Sequence, residues 1–259
     1  MSLVEVKKHV PSGTIILNRP EKRNALSRQM LADLLQAFSD LHQEKRVRAV
    51  ILTGAGSVFC AGMDLAEMQA TAKTPEAQTQ WYEDAVLYKE LLETMLRFPK
   101  PIIAAVNGPA IAGGAGLVLA SDLVIGTTPA TFGLPEPRRG IVAGLVSPLL
   151  TFRIGGGQAA RLLLTAETID AAEAQRIGIF HETVAEEAVW ARAQELAVQI
   201  ARSAPEALQL TKRMLNESIG ETLFTQLSAG AAASATARTT EAAVEGLAAF
   251  LEKREPKWL

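Results

Sequence analysis

Apolar positions recur along this chain in two rhythms. Over the first two-thirds, short β-branched runs alternate with longer stretches in which apolar residues return every three or four positions. Val4 to His9, Thr14 to Asn18, Ala49 to Thr53, Ile102 to Val106 and Leu123 to Ile125 read as strands. Ser27 to Leu41 and Pro75 to Phe98 read as amphipathic helices, the second with Thr74 as its cap, Pro75 at its first position, and Pro99 and Pro101 past its end. Strands and helices in this alternation predict an α/β fold. Farther on, Asp170 with Glu173 and Ser203 with Glu206 fit the capping-box spacing, and Gly178 suits the end of the first of those helices. From about Ile169 the chain reads as nearly all helix. The alanine-rich stretch from Ala229 to Arg238 lacks proline and reads as a close-packed helical segment rather than a linker. The expected division is a core over residues 1–200 and a C-terminal helical region over 201–259.

Composition narrows the function classes. In 259 residues, 48% hydrophobic content supplies a substantial core, and a net charge of −2 gives no electrostatic case for nucleic acid or an anionic membrane. Cys60 is the single cysteine, which excludes an internal disulfide. His9, His42 and His181 lie too far apart for metal-ligand spacing, so no metal is expected. The N-terminus alternates like a strand rather than a leader peptide, and no apolar run approaches a membrane span. These features point to a cytoplasmic, soluble protein.

The candidate chemistry lies in glycine-rich stretches after strands. Gly54 and Gly56 start a dinucleotide-type fingerprint, but Phe59 stands where its third glycine belongs. Gly108 and Gly113 have P-loop spacing, but Gly114 replaces the lysine. A third reading fits better. Asp64 and Glu67 have capping spacing for a helix, which leaves the Met63 amide free at the turn; a helix starting near Gly113 leaves that residue's amide as an unpaired N-terminal donor. Two such amides on one carbonyl oxygen form an oxyanion hole suited to a thioester enolate. Glycine costs roughly 1 kcal/mol in a helix relative to alanine. Gly113, Gly114 and Gly116 together therefore imply close approach by a ligand or by another segment, and the glycines alone favour the packing explanation.

Several motifs in order turn the balance. LNRPEKRNAL (17–26), AVILTGAGSVFCAGMDL (49–65), KPIIAAVNGPAIAGGAGLVLASDLVIG (100–126), ATFGLPEPRRGI (130–141), TAETIDAAEAQRIGIFHETV (165–184) and FLEKREPKW (250–258) resemble the enoyl-CoA hydratase/isomerase, or crotonase, superfamily along the whole chain. The resemblance implies a spiral of ββα units with a helical C-terminal region, assembly as a homotrimer or hexamer, and an acyl-CoA thioester substrate without a separate cofactor. It puts Met63 and Gly113 at the oxyanion-hole amides. It puts Arg23 and Lys253 near the CoA phosphates, Ala25, Ala61 and Leu65 at main-chain contacts, and Phe250 near the acyl pocket.

One departure stands out. The first of the two glutamates of ordinary hydratases is replaced by Gly116, and the second is present as Glu136. Pro135 and Pro137 flank Glu136, which suggests an extended conformation, and Phe132, Leu134 and Ile141 give it apolar surroundings that raise a carboxyl pKa; Arg138 or Arg139 nearby would oppose that. One carboxylate with an oxyanion hole suffices to hydrate a 2-enoyl-CoA or to isomerise a 3-enoyl-CoA. Gly116, Glu136 and the Ser147-Pro148 pair resemble hydratases of branched glutaconyl-CoA and favour hydration. A non-catalytic acyl-CoA-binding subunit stays open as a different class. Trp81, Tyr82 and Leu87 suit an acyl pocket or ordinary core equally. A glutamate restored at position 116 is expected to raise activity on a simple 2-enoyl-CoA if it fits.

Overall fold

A computed structural model describes residues 2–219 and 221–258. The strands are β1 (Val4–His9), β2 (Ser12–Leu17), β3 (Ala49–Gly54), β4 (Ile102–Val106), β5 (Ala110–Ile111), β6 (Leu123–Thr127), β7 (Thr131–Gly133), β8 (Thr168–Asp170) and β9 (Glu182–Val184). The helices are α1 (Arg28–Gln43), α2 (Leu65–Thr71), α3 (Ala77–Arg97), α4 (Gly113–Leu119), α5 (Val146–Thr165), α6 (Ala171–Arg176), α7 (Val189–Ile200), α8 (Pro205–Arg213), α9 (Glu221–Ala237) and α10 (Glu241–Glu252).

A main sheet runs in the order β1-β2-β3-β4-β6-β9, parallel except for the β1–β2 pair, and a second sheet runs β5-β7-β8. Single parallel bridges, Leu26 with Met63 and Cys60 with Ala110, extend the second sheet into earlier turns of the chain. Each turn therefore repeats one pattern: a strand in the main sheet, a short extended piece in the second sheet, then a helix. Leu26 precedes α1, Met63 precedes α2, β5 precedes α4 and β7 precedes α5. This repetition makes the fold a spiral. It also stacks the ends of the short pieces on top of one another, and the candidate site residues sit there.

Parallel central strands are buried on both faces, which explains their unbroken apolar runs. In β3, Val50 and Leu52 join the large core while Ala49 and Ile51 face α7; in β4, Ile102, Ala104 and Val106 divide in the same way from Ile103 and Ala105. Ser27 caps α1 by accepting from the Met30 amide, and Asp170 caps α6 by accepting from the Glu173 amide. Gly178 follows α6 with a φ of +86°. The alanine-rich stretch is helical, and Gly230 within it packs against the backbone of Gly144, where any Cβ would collide.

Three sequence expectations are corrected. Thr74 does not cap α3; its hydroxyl donates to the Thr71 carbonyl, closing the end of α2, and Glu76 occupies the cap without a side-chain bond. Ser203 does not cap α8, because Pro205 takes the first helical position and Ala204 becomes the cap. The chain beyond Ile169 is not all helix: His181 leads into β9, which pairs with β6 as the edge of the main sheet. A three-residue edge strand has too short a pattern to be seen in the sequence. No helix among the described residues is long and apolar enough to cross a membrane.

Candidate active site

The turn before α2 is built by local hydrogen bonds. Asp64 accepts from the amides of Ala66 and Glu67, and Arg19 pairs with its carboxylate at 2.6 Å. The Leu26 amide donates to the Gly62 carbonyl, and the Asp64 amide donates to the Leu26 carbonyl at 3.0 Å. The Met63 amide between them has no partner among the described residues. At the start of α4 the Ala112 amide donates to Gly133, the Gly116 amide donates to Ala112, and the Gly113 amide is again without a partner among the described residues. Ala112 holds φ 54° and ψ −120°, a conformation that costs a non-glycine residue roughly 1–3 kcal/mol. This strain rotates the peptide that carries the Gly113 N–H. A Cβ built on Gly113 would stand 3.5 Å from the Met63 nitrogen, so the two free amides belong to segments separated by little more than one ligand atom.

The three glycines of this stretch have three different reasons. Gly113 meets only ordinary contacts, 3.4 Å and beyond, so packing does not require it to be bare. A Cβ at Gly114 would collide with the Cys60 carbonyl, so the packing explanation holds there. A Cβ at Gly116 would collide with the hydroxyl of Tyr88. Tyr88, buried on α3, donates from that hydroxyl to the Gly113 carbonyl at 2.5 Å. The volume beside the departed acid position is thus filled by a phenol that also holds the Gly113 carbonyl, one peptide beyond the free N–H. Burial pushes this phenol well above its ordinary pKa, and the charge of Glu136 adds to the shift, so it stays a neutral donor.

Glu136 is 6% exposed and opens a 3-10 turn, Glu136–Arg139, rather than the extended conformation expected from its flanking prolines. The turn is closed by the Ile141 amide donating to the Glu136 carbonyl and by Gly140 at φ 66°. The bare backbone of Gly246 on α10 packs against Arg139, and Gly140 packs against Ala242, which pins the turn. Burial raises the Glu136 carboxyl to about 7, against the lowering effects of its own backbone amide and of Arg139. Its Oε2 is buried with no hydrogen-bond partner.

Two cavities meet here. The inner one is lined by Met63, Leu65, Met68, Tyr88, Ala112, Gly113, Glu136, Arg139, the segment 141–146, Ser234 and Arg238. The outer groove shares Met63, Leu65 and Arg139 with it and is further lined by Lys22, Arg23, Ala25, Ala61, Phe250 and others. The Arg139 guanidinium lies 4.4 Å from the centre of the Phe250 ring. The structure brings Arg23, Ala25, Ala61, Leu65 and Phe250 together in one groove that opens onto Met63, Gly113 and Glu136. Lys253 is not among them; it caps the end of α10 in a left-handed conformation and lines neither cavity.

Sequence reasoning missed Tyr88, Arg139 as a cavity wall, Ser234 and Arg238. Trp81 packs with Met68 and Leu247, Tyr82 is exposed, and neither they nor Leu87 line the inner cavity. Tyr88 lies two helical turns after Trp81 on the same face of α3, and that spacing was the available signal. Ser147, in the first turn of α5, donates to the carbonyl of Ala143 just before that helix, and neither Ser147 nor Pro148 lines the cavity. No group of His, Cys, Asp and Glu side chains suited to a metal occurs among the described residues.

The ββα spiral thus carries an open groove that leads to a buried carboxylate, an arrangement suited to an enzyme. A family model described as enoyl-CoA hydratase/isomerase matches residues 12–259, and the chain belongs to that family. It is 40% identical over 257 residues to a Thermus thermophilus protein provisionally named an enoyl-CoA hydratase, covering 99% of this chain and 100% of that one. It is 32% identical to the 1,2-epoxyphenylacetyl-CoA isomerase of Escherichia coli, covering 96% of each chain. A crystal structure of an enoyl-CoA hydratase from Mycobacterium avium superimposes with a TM-score of 0.88 at 30% identity, covering 100% of both chains. The protein is an acyl-CoA enzyme of the enoyl-CoA hydratase/isomerase type.

Proposed function

We propose that the enzyme hydrates a 2-enoyl-CoA, with Glu136 as the one acid/base and the amides of Met63 and Gly113 as the oxyanion hole. The observation that carries this is the unpartnered, buried Oε2 of Glu136 in the cavity that also receives Gly113 and Met63. The thioester oxygen accepts from the two amides. Glu136 takes a proton from water as the oxygen attacks C3, the negative charge passes to the enolate oxygen, and the proton returns to C2. The water's hydroxyl ends on C3 and its proton on C2, so the reaction calls for no cofactor beyond the CoA of the substrate. The outer groove, with Lys22 and Arg23 on its wall, suits the CoA phosphates. Among 2-enoyl esters, a branched glutaconyl-CoA is the candidate offered by the sequence resemblance at Gly116 and Glu136, the Ser147-Pro148 pair lying outside the cavity wall.

The second reading is isomerisation of a 3-enoyl-CoA, in which Glu136 moves a proton from C2 to C4. It needs only one carboxylate, which Gly116 leaves in place. A non-catalytic subunit is disfavoured because a buried carboxylate oxygen with no partner, facing the cavity, costs stability that proton transfer accounts for and acyl-CoA binding alone does not. Incubation with crotonyl-CoA, a 3-enoyl-CoA and 3-methylglutaconyl-CoA, followed by ultraviolet absorbance and product mass, separates the readings. Gain of one water in the first or third supports hydration; conversion of the second at constant mass supports isomerisation; no reaction of any overturns both. Sedimentation at micromolar concentration tests the trimer or hexamer that the family resemblance implies, and a monomer counts against it.

A further inference from the structure

Arg238 is a buried cation without a counter-ion. It follows the last turn of α9, is 8% exposed, and lines the inner cavity but not the outer groove. No carboxylate among the described residues reaches ion-pair distance of it. The nearest candidate is Asp84, which is already occupied: its two oxygens accept from Arg28 at 2.5 and 2.8 Å, and Oδ1 also accepts from Gln80 at 3.0 Å. The Arg238 guanidinium makes one long bond, from Nη1 to the Trp81 carbonyl at 3.4 Å. A guanidinium offers five donors and does not deprotonate in proteins, so burial without a partner is costly. Ser234, four residues earlier and also buried, lines the same cavity.

We infer that Arg238, with Ser234, is a receptor for a carboxylate at the far end of the acyl chain, which makes the substrate the CoA monothioester of a dicarboxylic acid. Met63, Leu65 and Arg139 line both cavities and so mark the mouth of the inner one. Arg139 stands there against Phe250, beside the thioester end, whereas Arg238 belongs to the inner cavity alone. An acyl chain that enters past Met63 and Gly113 passes Arg139, held against Phe250, and meets in Arg238 a cation with no carboxylate partner among the described residues. A planar carboxylate satisfies two of its donors at once, with the Ser234 hydroxyl as a third. An uncharged chain leaves the cation buried and unpaired.

This inference rests on the acyl-CoA reading of the cavity, and its test separates the two. Glutaryl-CoA and butyryl-CoA differ only in a terminal carboxylate and, being saturated, undergo no hydration. Calorimetric titration of the wild-type enzyme is expected to give roughly 10- to 100-fold tighter binding of glutaryl-CoA, the range for hydrogen bonds to a charged group. Arg238→Gln is expected to remove that preference by weakening glutaryl-CoA while leaving butyryl-CoA unchanged, and Arg238→Lys to keep part of it. Equal binding of the two esters by the wild type overturns the inference and leaves the acyl-CoA site standing, as does an equal loss of both in a folded Arg238→Gln. Failure of both esters to bind the wild type overturns the acyl-CoA reading itself. The wild-type comparison decides the matter even if the variants fail to fold.

Discussion

The two walls of the inner cavity are made of different material. One wall is backbone: the amides of Met63 and Gly113, set by the helix starts of two successive turns of the spiral. The other is side chain: Glu136 on its short turn, Tyr88 on α3 and Arg238 after α9. The backbone wall arises from local rules, a capped turn and a strained helix start, and in the proposed reaction it holds the part common to all thioesters. The side-chain wall is assembled from segments distant in sequence, and in the same proposal it sets which proton moves and which chain fits. Binding of the common part of the substrate and choice of chemistry are thereby separable, and substitutions should separate them.

The largest expected effect comes from the side-chain wall. With Gly116 unable to exchange a proton, Glu136→Gln should lower kcat by about 1000-fold or more, at the upper part of what acid/base groups contribute, while CoA-ester binding stays near wild type. Steady-state kinetics on the three thioesters, with calorimetry for binding, checks this. Wild-type rates would place the acid/base elsewhere in the cavity.

The backbone wall should respond in the opposite manner to its neighbouring glycines. Gly113→Ala adds a methyl that clashes with nothing but stands 3.5 Å from the Met63 nitrogen, in the space for the substrate oxygen. It should leave the melting temperature near wild type and lower kcat roughly 100-fold, as loss of an oxyanion donor does. Gly114→Ala, whose methyl collides with the Cys60 carbonyl, should instead destabilise the fold. Equal melting temperatures for the two variants would remove the distinction between a ligand-facing and a packing glycine.

That distinction marks the limit of what was legible beforehand. Strands β1 to β4 and β6, helices α1 and α3, the Asp64 turn and the position of Gly113 follow from periodicity and capping, because their causes are local; the short strands β5, β7, β8 and β9 do not. The spiral itself and the roles given to Met63, Gly113 and Glu136 came through resemblance of ordered motifs. Tyr88 and Arg238 were not legible, since a tyrosine at helical spacing and an arginine in an alanine-rich helix look like core and surface until α3 and α9 are packed together. The turn at Glu136 was misjudged because hydrogen bonds from Ile141 and Gly140 outweigh the local bias of a residue before proline.

A pH comparison tests the burial of Glu136. Its carboxyl is raised in the folded state to about 7 from an ordinary 4.5, so the native state binds this proton more tightly than the unfolded chain does. The favourable contribution of the protonated form is complete below pH 4.5 and is lost as pH rises to about 7. Between pH 5 and 8 the wild type should lose about 2 to 3 kcal/mol that Glu136→Gln does not lose. Hydration moves the other way, because the proton is taken by the ionised carboxylate, and kcat/KM should rise through about pH 7. Denaturant titrations and rate profiles of both proteins over this range check the opposed signs; a parallel pH dependence of stability would mean that Glu136 is solvated.

The smallest effect joins the two walls. Tyr88 is a side chain that acts on the backbone wall, through its bond to the Gly113 carbonyl, and it also fills the space beside Gly116. Tyr88→Phe keeps the ring and removes the donor, which should cost about 1 kcal/mol, seen as a several-fold fall in kcat with KM little changed. The expectation that a glutamate at position 116 raises activity is altered by the same contact. Gly116→Glu alone pushes its Cβ into the Tyr88 hydroxyl and should lower both stability and activity. Tyr88→Ala combined with Gly116→Glu frees that volume for the carboxylate, and the pair should be more stable than the sum of the single changes by more than 0.5 kcal/mol. Additive effects in this double-mutant cycle would show that the hydroxyl does not occupy the second acid's place.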